Sequence, residues 1–289
     1  MNGRKRIAFV THAGLPGLAA DDRLAVEELV RRGAEVAPAV WDDPGVQWSG
    51  FDSVVLRSTW DYHLKLSSFL DWLDRLEGEG VPLWNPAAVV RANLDKGYLV
   101  DLADSGVPVV STVRVEKGSA PNLASLLDER GWTDVVIKPA VSASAFRTWR
   151  TSRSQAAAEQ STFEELLVSS AALVQPFLPE IQTRGEWSIM FLGGEYSHAV
   201  LKRPREGDFR VQEHLGGWSE PEAPGPRLIA QARAAVETIP GPWLYARVDG
   251  VETDAGLLLM ELELTEPSLF LGTDPKAPAR FAEAILARS

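Results

Sequence analysis

The sequence predicts a mixed α/β protein, with a parallel sheet in its first part and an antiparallel sheet in its last part. Over the first ninety residues, short apolar runs alternate with segments of helical periodicity, which is typical of a parallel sheet covered on both faces. From Ala171 onward most apolar segments have strand patterns, and Gly193-Gly194 marks a hairpin turn. With 289 residues, the chain is long enough for two domains or one elaborated domain.

The first ninety residues are predicted to contain four strands and two helices. The strands cover 6–10, 35–40, 53–56 and 82–84. One helix is expected to begin at Asp21 or Asp22, either of which can cap it, and to end before Gly33. The second helix covers 66–76, where apolar residues recur at helical spacing.

The rest of the chain continues with further strands and helices. Helices are predicted over 93–106, with Asn93 as the cap, and over 123–130, 164–170, 227–237 and 277–287. Strands are predicted over 107–113, 134–138, 172–175, 184–192, 195–203, 243–251 and 257–264. A loop of small residues at 140–145 follows strand 134–138, and 146–150 is its candidate hairpin partner.

Composition excludes several classes of protein. The net charge of −11 argues against a nucleic-acid binder, which needs a basic face. The chain has no cysteine, so disulfides, iron–sulfur clusters and cysteine nucleophiles are excluded. Apolar runs are too short for a secretory signal or a membrane helix, and a cytoplasmic protein is expected. The sequence has neither a P-loop motif nor a G-x-S-x-G elbow, and it lacks the dinucleotide-binding glycine fingerprint.

Three acidic residues near the end of the chain form a candidate metal site. Glu261 and Glu263 lie two apart on one predicted strand, so they share a face of the sheet. If the strand that carries Asp249 is the hairpin partner, its carboxylate joins them. Oxygen donors of this kind suit Mg²⁺, which takes carboxylates together with substrate phosphates. The alternative is a solvated face that carries acids.

Cations at the ends of predicted elements form a candidate phosphate site. Lys96 is early in a helix, Lys138 ends an apolar strand before the small-residue loop, and Lys202 ends another strand ahead of Arg210. Small-residue loops let backbone N–H groups approach phosphate oxygens. Together with the acids, these cations indicate a nucleoside triphosphate site, although each lysine alone could be a solvated surface residue.

These pieces together resemble an ATP-grasp ligase. The segment LKRPREGDFRVQEHLGG at 201–217 resembles the phosphate-side strand and loop of the ribosomal-protein glutamate ligases. MELELTEPSL at 260–269 resembles the Glu-x-Asn pattern of glutathione synthetases, with Glu263 in place of the Asn. The segment 135–145 resembles the phosphate-covering loop, with serine and alanine where glycine is usual, and 174–180 resembles the hinge between the lobes.

A closer resemblance, over nearly the whole chain, is to the D-cycloserine synthetase family. It rests on five segments, WDDP at 41–44, RSTWDY at 57–62, NPAAVVR at 85–91, YARVD at 245–249 and MELEL at 260–264. The resemblance implies an N-terminal α/β domain at 1–92, a small ATP-grasp lobe at 93–172 and a large lobe at 173–289. It implies ATP and Mg²⁺ as cofactors, with two ions.

The resemblance also implies roles for individual residues. The ATP-binding set is Lys96, Lys138, Ser142, Ser144, Gln175, Phe177, Leu178, Glu180, Lys202, Arg210 and Glu261. The metal ligands are Asp249, Glu261 and Glu263, and the catalytic cations are Lys202, Arg210 and Arg247. The small amino-acid substrate is assigned to Arg57, Ser58, Thr59, Trp60, Asp61, Tyr62, His214 and Arg247.

The residues assigned to the substrate have alternative roles. Arg57 could bind a carboxylate and Asp61 an ammonium, or the two could pair with each other, or cap a helix, while Trp60 packs in the core. Trp41, Trp84 and Trp218 are predicted to be packing residues.

The implied reaction is activation of a small amino-acid carboxylate as an acylphosphate, followed by attack of a nitrogen nucleophile. The attack could close a ring within one molecule, in an antibiotic-biosynthesis role, or join two molecules. A third alternative is a relative that binds ATP without catalysis. A homodimer is one option for the oligomeric state, but the sequence indicates no self-complementary surface.

Overall fold

A parallel sheet forms the first part of the chain in the computed structural model, which describes residues 4–289. Its strand order is β2-β1-β3-β4 and every pair is parallel, as predicted. The elements are β1 (Arg6–Thr11), α1 (Ala20–Arg31), β2 (Glu35–Val40), β3 (Ser53–Ser58), α2 (Leu66–Gly78) and β4 (Leu83–Trp84).

Both predicted helices of this part of the chain are present, although α1 begins at a different residue. In α2, the predicted apolar positions Phe69, Leu73 and Leu76 are fully buried. Helix α1 begins earlier than predicted, with Ala19 as its N-cap, and Asp22 is buried inside it instead of capping it. Asp22 is drawn inward because two polar groups of β3 bind its carboxylate, as described below.

The second sheet is antiparallel, with the order β5-β8-β6-β7. Its elements and helices are α3 (Ala87–Leu94), α4 (Tyr98–Asp104), β5 (Val113–Val115), α5 (Leu123–Arg130), β6 (Asp134–Pro139), β7 (Trp149–Ser152), α6 (Ala156–Ser169) and β8 (Ala172–Pro176). Strand β7 pairs with β6, which confirms a hairpin, but the partner strand covers 149–152 instead of the predicted 146–150. The domain division stays a prediction; residues 1–3 of its first range lie outside the described residues, and its boundary after residue 172 cuts β8.

Three predictions in this region are wrong. The helix over 93–106 is two helices, because Asn93 does not cap a helix but lies within α3, where its amide bonds the backbone of Leu262 and Leu264. In place of a strand over 107–113, Val109 makes an isolated bridge to Leu259 and strand pairing begins at Val113. Helix α6 begins eight residues before the predicted 164–170 segment, at Ala156.

The third sheet is antiparallel, with the order β11-β10-β9-β12-β13. Its elements and neighbours are α7 (Glu180–Thr183), β9 (Glu186–Leu192), β10 (Glu195–Arg203), β11 (Trp218–Pro221), α8 (Pro226–Val236), β12 (Tyr245–Thr253), β13 (Gly256–Glu263) and α9 (Ala277–Leu286). The turn at Gly193-Gly194 is confirmed. Strand β11 was not predicted, and Trp218 on it is 47% exposed, so its prediction as a packing residue is wrong.

Other expectations stand as follows. Trp41 is buried as predicted, and Trp84 packs partly buried against the apolar cluster of β1, α1 and α9. No helix among residues 4–289 is both long and apolar enough to cross a membrane. The homodimer and the cytoplasmic location stay predictions.

A buried ion pair fastens the first sheet to the C-terminal part of the chain. Arg57, at the end of β3, is 2% exposed, and its guanidinium bonds the Asp22 carboxylate and the Pro267 carbonyl, both at 2.8 Å. The guanidinium also lies 4.9 Å from the Tyr245 ring centroid. A buried charge is tolerated only when it is paired and hydrogen-bonded, so Arg57 depends on these partners and they depend on it.

We expect Arg57→Met to lower the free energy of unfolding by about 3–5 kcal/mol, because Asp22 would lose its cation while staying buried. The matched control is Arg75→Met, which removes an exposed ion pair with Glu79 on α2 and should cost at most about 1 kcal/mol. Urea unfolding of both variants measures the difference. Equal losses would show that Arg57 is no more important to the fold than a surface arginine.

Candidate active site

A cavity of about 710 Å³ lies where the second and third sheets face each other. Strands β6 and β8 and the loop after β6 line one side, and the face of β9, β10, β12 and β13 lines the other. Trp60 and Tyr62, which follow β3, also line it. Residues in or just beyond all three sheets therefore contribute to one site.

The three predicted acidic residues share one face of the third sheet. Strands β12 and β13 are antiparallel neighbours, in a register that places Asp249 opposite Glu261 and Arg247 opposite Glu263. The expected hairpin between the two strands is confirmed. All four side chains line the cavity, because residues two apart on a strand point to the same side.

Each of these carboxylates is paired with a cation from the protein. Lys138 Nζ lies 2.6 Å from one oxygen of Glu261, and Lys96 Nζ lies 3.7 Å from the other. Arg247 bridges Asp249 and Glu263, with an N–O distance of 2.7 Å to each. Lysines and arginine from different elements therefore hold the acids in a continuous network.

A further lysine, Lys202 on β10, extends the network of ion pairs. Lys202 Nζ lies 2.5 Å from the Glu186 carboxylate and 3.6 Å from Asp249. The Ser188 hydroxyl also donates to Asp249. Burial alone would lower the pKa of Lys202, but the attraction of Asp249 and Glu186 outweighs it and raises the pKa, so this lysine stays charged.

The carboxylates differ in their affinity for protons. Burial disfavours the charged form of Glu261, yet Lys138 and Lys96 outweigh it and hold the pKa well below its usual value. Burial, together with repulsion from Asp249 and Glu261, raises the pKa of Glu263 to about 7 in spite of Arg247. Burial and the nearby Glu263 raise the pKa of Glu266 to about 8. The site thus holds more carboxylate than its own cations neutralise.

The donor chemistry fits magnesium, although the expected cluster of three ligands is not formed. Among residues 4–289, no three acidic or histidine side chains are grouped to hold one metal ion. The reason is that lysine and arginine lie between the carboxylates. Mg²⁺ usually takes only one or two protein carboxylates together with phosphate oxygens, so Asp249, Glu261 and Glu263 still offer suitable donors.

The loop after β6 has a left-handed backbone without glycine. Ser144, Ala145 and Arg147 have φ values of 52°, 56° and 48°. Such conformations cost L-residues about 1–2 kcal/mol each, so contacts must hold the loop. Phe146 packs against His63, with 5.1 Å between ring centroids, and the Ser142 carbonyl accepts from Lys96 Nζ at 3.0 Å. The loop thereby places Ser142 and Ser144 in the cavity wall.

The predicted nucleotide and phosphate residues divide into two groups. The residues that line the cavity are Lys96, Lys138, Ser142, Ser144, Gln175, Leu178, Lys202, Arg210 and Glu261. Phe177 and Glu180 lie outside the lining: Phe177 packs under the Arg150 guanidinium at 3.7 Å, and Glu180 begins α7. Arg210 is paired with Asp208 at 2.9 Å, and His214 lies in an exposed turn.

Half of the predicted substrate set reaches the cavity. Trp60, Tyr62, His214 and Arg247 line it, but Arg57, Ser58, Thr59 and Asp61 lie outside the lining. The structure does not bring these four into the cavity wall, and the last two residues of β3 turn their polar groups towards α1. Arg57 and Ser58 both bind Asp22, at 2.8 and 2.5 Å.

One alternative for these residues is wrong, because Arg57 does not pair with Asp61. The Asp61 carboxylate instead accepts from Trp41 Nε1 at 2.8 Å and from Lys65 Nζ at 3.2 Å. Trp60 faces the cavity and is not a core residue.

Sequence reasoning missed two acidic residues of the site. Glu186 begins β9 and pairs with Lys202, and Glu266 lies between β13 and Pro267. Neither residue lies two positions from another acid on a predicted strand. Residue spacing therefore did not indicate that Glu186 belongs to the site. The signal for Glu266 was a charged residue directly before a proline, just beyond the acidic strand.

The chain is similar to known proteins over most of its length. Residues 7–85 match the family model of the N-terminal domain of D-cycloserine synthetase DcsG. The cycloserine biosynthesis protein DcsG of Streptomyces lavendulae is 32% identical over 261 residues, which cover 86% of this chain and 87% of that protein.

Solved structures agree with this. A crystal structure of D-cycloserine synthetase DcsG superposes with a TM-score of 0.88 at 30% identity, covering 98% of this chain and 99% of that one. An ATP-grasp RimK domain protein from Sphaerobacter thermophilus DSM 20745 shares the fold, with a TM-score of 0.71 at 19% identity over 97% of this chain and 99% of that one. The chain therefore belongs to the D-cycloserine synthetase family of ATP-grasp carbon–nitrogen ligases.

Proposed function

We propose that this protein uses ATP and Mg²⁺ to convert the carboxylate of a small amino acid into an acylphosphate, which a nitrogen nucleophile then attacks. One observation carries the proposal. Cations from three separate parts of the chain, Lys96, Lys138 and Lys202, converge on the carboxylates of β12 and β13 in one cavity. Cations suit phosphate oxygens, and carboxylates suit a divalent metal.

Exchange of counter-ions explains how the present ion pairs serve that reaction. Lys138 and Lys96 now neutralise Glu261. A bound triphosphate would take these lysines as partners, and Mg²⁺ would replace them at the carboxylates. Negative phosphate and positive metal enter together, so the buried charge stays balanced at each stage.

The residues divide the work as follows. Lys96, Lys138 and Lys202 would hold the phosphates, with Arg210 at the rim of the cavity. Asp249, Glu261 and Glu263 would hold Mg²⁺, which supplies neutralisation of the charge that develops on the phosphoryl oxygens; two ions are proposed. Gln175 and Leu178, at and after the end of β8, would contact the adenine.

Arg247 is suited to hold the reacting carboxylate. Its guanidinium lies in the cavity wall between Asp249 and Glu263. A substrate carboxylate oxygen would attack the γ-phosphorus, and the bond to the ADP oxygen would break. The nitrogen would then attack the acyl carbon and release inorganic phosphate, so the enzyme acts by positioning and electrostatics.

The similarity to D-cycloserine synthetase favours attack within one molecule, which closes a ring. Joining of two molecules is the alternative reaction. A relative that binds ATP without turnover is the second candidate function. The phosphate-side loop supports it, because serine and alanine stand there where glycine is usual in ATP-grasp enzymes.

We expect ADP release that depends on Mg²⁺, on ATP and on one member of a panel of small amino acids of both hands that includes O-ureido-D-serine. A coupled-enzyme assay measures ADP, and the product mass separates ring closure from joining of two molecules. Omission of the amino acid or of Mg²⁺ is the control. ATP binding in a thermal-shift assay without ADP release under any condition would contradict the ligase and favour the non-catalytic relative.

A second prediction concerns the metal carboxylates. Glu261→Gln removes one negative oxygen from the metal donors and should lower the rate of ADP formation by about 100-fold or more, with the protein still folded. The matched control is Glu222→Gln, an exposed glutamate beyond β11, which should leave the rate unchanged. Steady-state rates against Mg²⁺ concentration and thermal melting compare the variants. Wild-type rates in Glu261→Gln would overturn the metal assignment.

A further inference from the structure

The segment directly after β13, residues 265–268, is held at four consecutive backbone carbonyls. Each carbonyl accepts a hydrogen bond from a different side chain. Tyr245 Oη donates to Thr265 O at 2.8 Å, Trp60 Nε1 to Glu266 O at 3.1 Å, Arg57 Nη2 to Pro267 O at 2.8 Å and Arg247 Nη1 to Ser268 O at 3.1 Å. Donors from the first and third sheets therefore fix the backbone that carries Glu266.

The Glu266 side chain differs from the other acids that line the cavity. Asp249, Glu261, Glu263 and Glu186 each have a lysine or arginine partner. The Glu266 carboxylate lines the same cavity but forms no hydrogen bond or ion pair with any other side chain or backbone group in residues 4–289. The side chain is half-buried and faces the cavity from a fixed backbone, so it is placed to bind a partner from outside the chain.

The surroundings of Glu266 point to a cationic nitrogen as that partner. The indole of Trp60 lies in the same part of the wall and is bonded through Nε1 to the Glu266 backbone. Aromatic faces attract ammonium groups, and a buried carboxylate binds them with charge-assisted hydrogen bonds. Ser268, two residues further on, is bonded to Arg247, which we have assigned to the substrate carboxylate.

We propose that Glu266 binds the ammonium group of the amino-acid substrate and thereby makes the enzyme specific for acids that carry a free amine. This inference rests on the proposed function, since it assigns the second charged group of the same substrate. The carboxylate then lies at Arg247 and the ammonium at Glu266, so the two ends of the molecule fix its orientation before the phosphoryl group moves.

The test compares an amine-bearing substrate with its hydroxy analogue in two variants. The amino acid that supports ADP release and the same compound with hydroxyl in place of the amine are titrated into wild type, Glu266→Gln and Glu266→Asp. Isothermal titration calorimetry gives the binding constants, and the ADP assay gives kcat and KM. We expect Glu266→Gln to weaken binding of the amine by about 30-fold or more, with KM for ATP unchanged, and to remove the preference over the hydroxy analogue.

Controls and contrary outcomes separate the claims. Glu266→Asp keeps the charge and should retain part of the preference for the amine, and Glu222→Gln should retain all of it. A preference in Glu266→Gln equal to that of wild type overturns the inference while leaving the ligase intact. Loss of Mg²⁺ or ATP affinity in Glu266→Gln would overturn it in favour of a metal ligand.

Calorimetry needs no turnover, so the inference is decided even if the ligase proposal fails. The probes are then O-ureido-D-serine, D-serine and D-alanine, with the hydroxy analogues of the latter two. Binding of an amino acid without ADP release contradicts the ligase alone, and absence of amine-dependent binding across these probes overturns the inference.

Discussion

The balance of buried charge on one face of the third sheet is the constraint on which the site depends. Carboxylates in a low-dielectric cavity must be paired, protonated or bound to metal. This chain uses all of its nearby lysines and one arginine for pairing, and the pKa of Glu263 still rises to about 7. In the function proposed above, the lysines would exchange carboxylate partners for phosphate and the carboxylates would exchange cation partners for a metal ion. The ion pairs of the cavity would then supply the groups that the proposed reaction needs.

The first sheet contributes to this site mainly by holding the backbone of the segment after β13, through hydrogen bonds from its side chains. Arg57 was expected to hold substrate, yet it pairs with Asp22 and bonds the Pro267 carbonyl. Trp60 bonds the next carbonyl back along the chain. Side chains at and just after the end of β3 thus help to position the segment beyond β13, which lines the cavity.

Periodicity predicted most of the fold, because it reflects which face of an element is buried. It predicted the parallel sheet, the five-strand run from β8 to β13 apart from β11, and the shared face of Glu261 and Glu263. It failed where a tertiary contact decided the outcome. Asn93 is a residue type that often caps helices. Here its side-chain amide instead forms hydrogen bonds with the backbone of Leu262 in β13 and of Leu264 just after it. Glu186 gave no signal because its partner, Lys202, is sixteen residues away on another strand. Pairings of this kind depend on strand register, which composition does not contain.

Two departures from the ATP-grasp pattern have physical explanations in the structure. Glu263, which stands where the pattern has asparagine, adds a buried negative charge, and Arg247 offsets it by bridging Glu263 and Asp249. The loop after β6 lacks the usual glycines, yet three of its residues adopt the left-handed conformation that glycine favours, and the contact between Phe146 and His63 helps to hold it. In both cases the chain keeps the charge pattern or the backbone shape by different residues. The substituted residues are thus compatible with the same charge pattern and backbone shape. The loop, however, depends on its side-chain contacts to keep that shape.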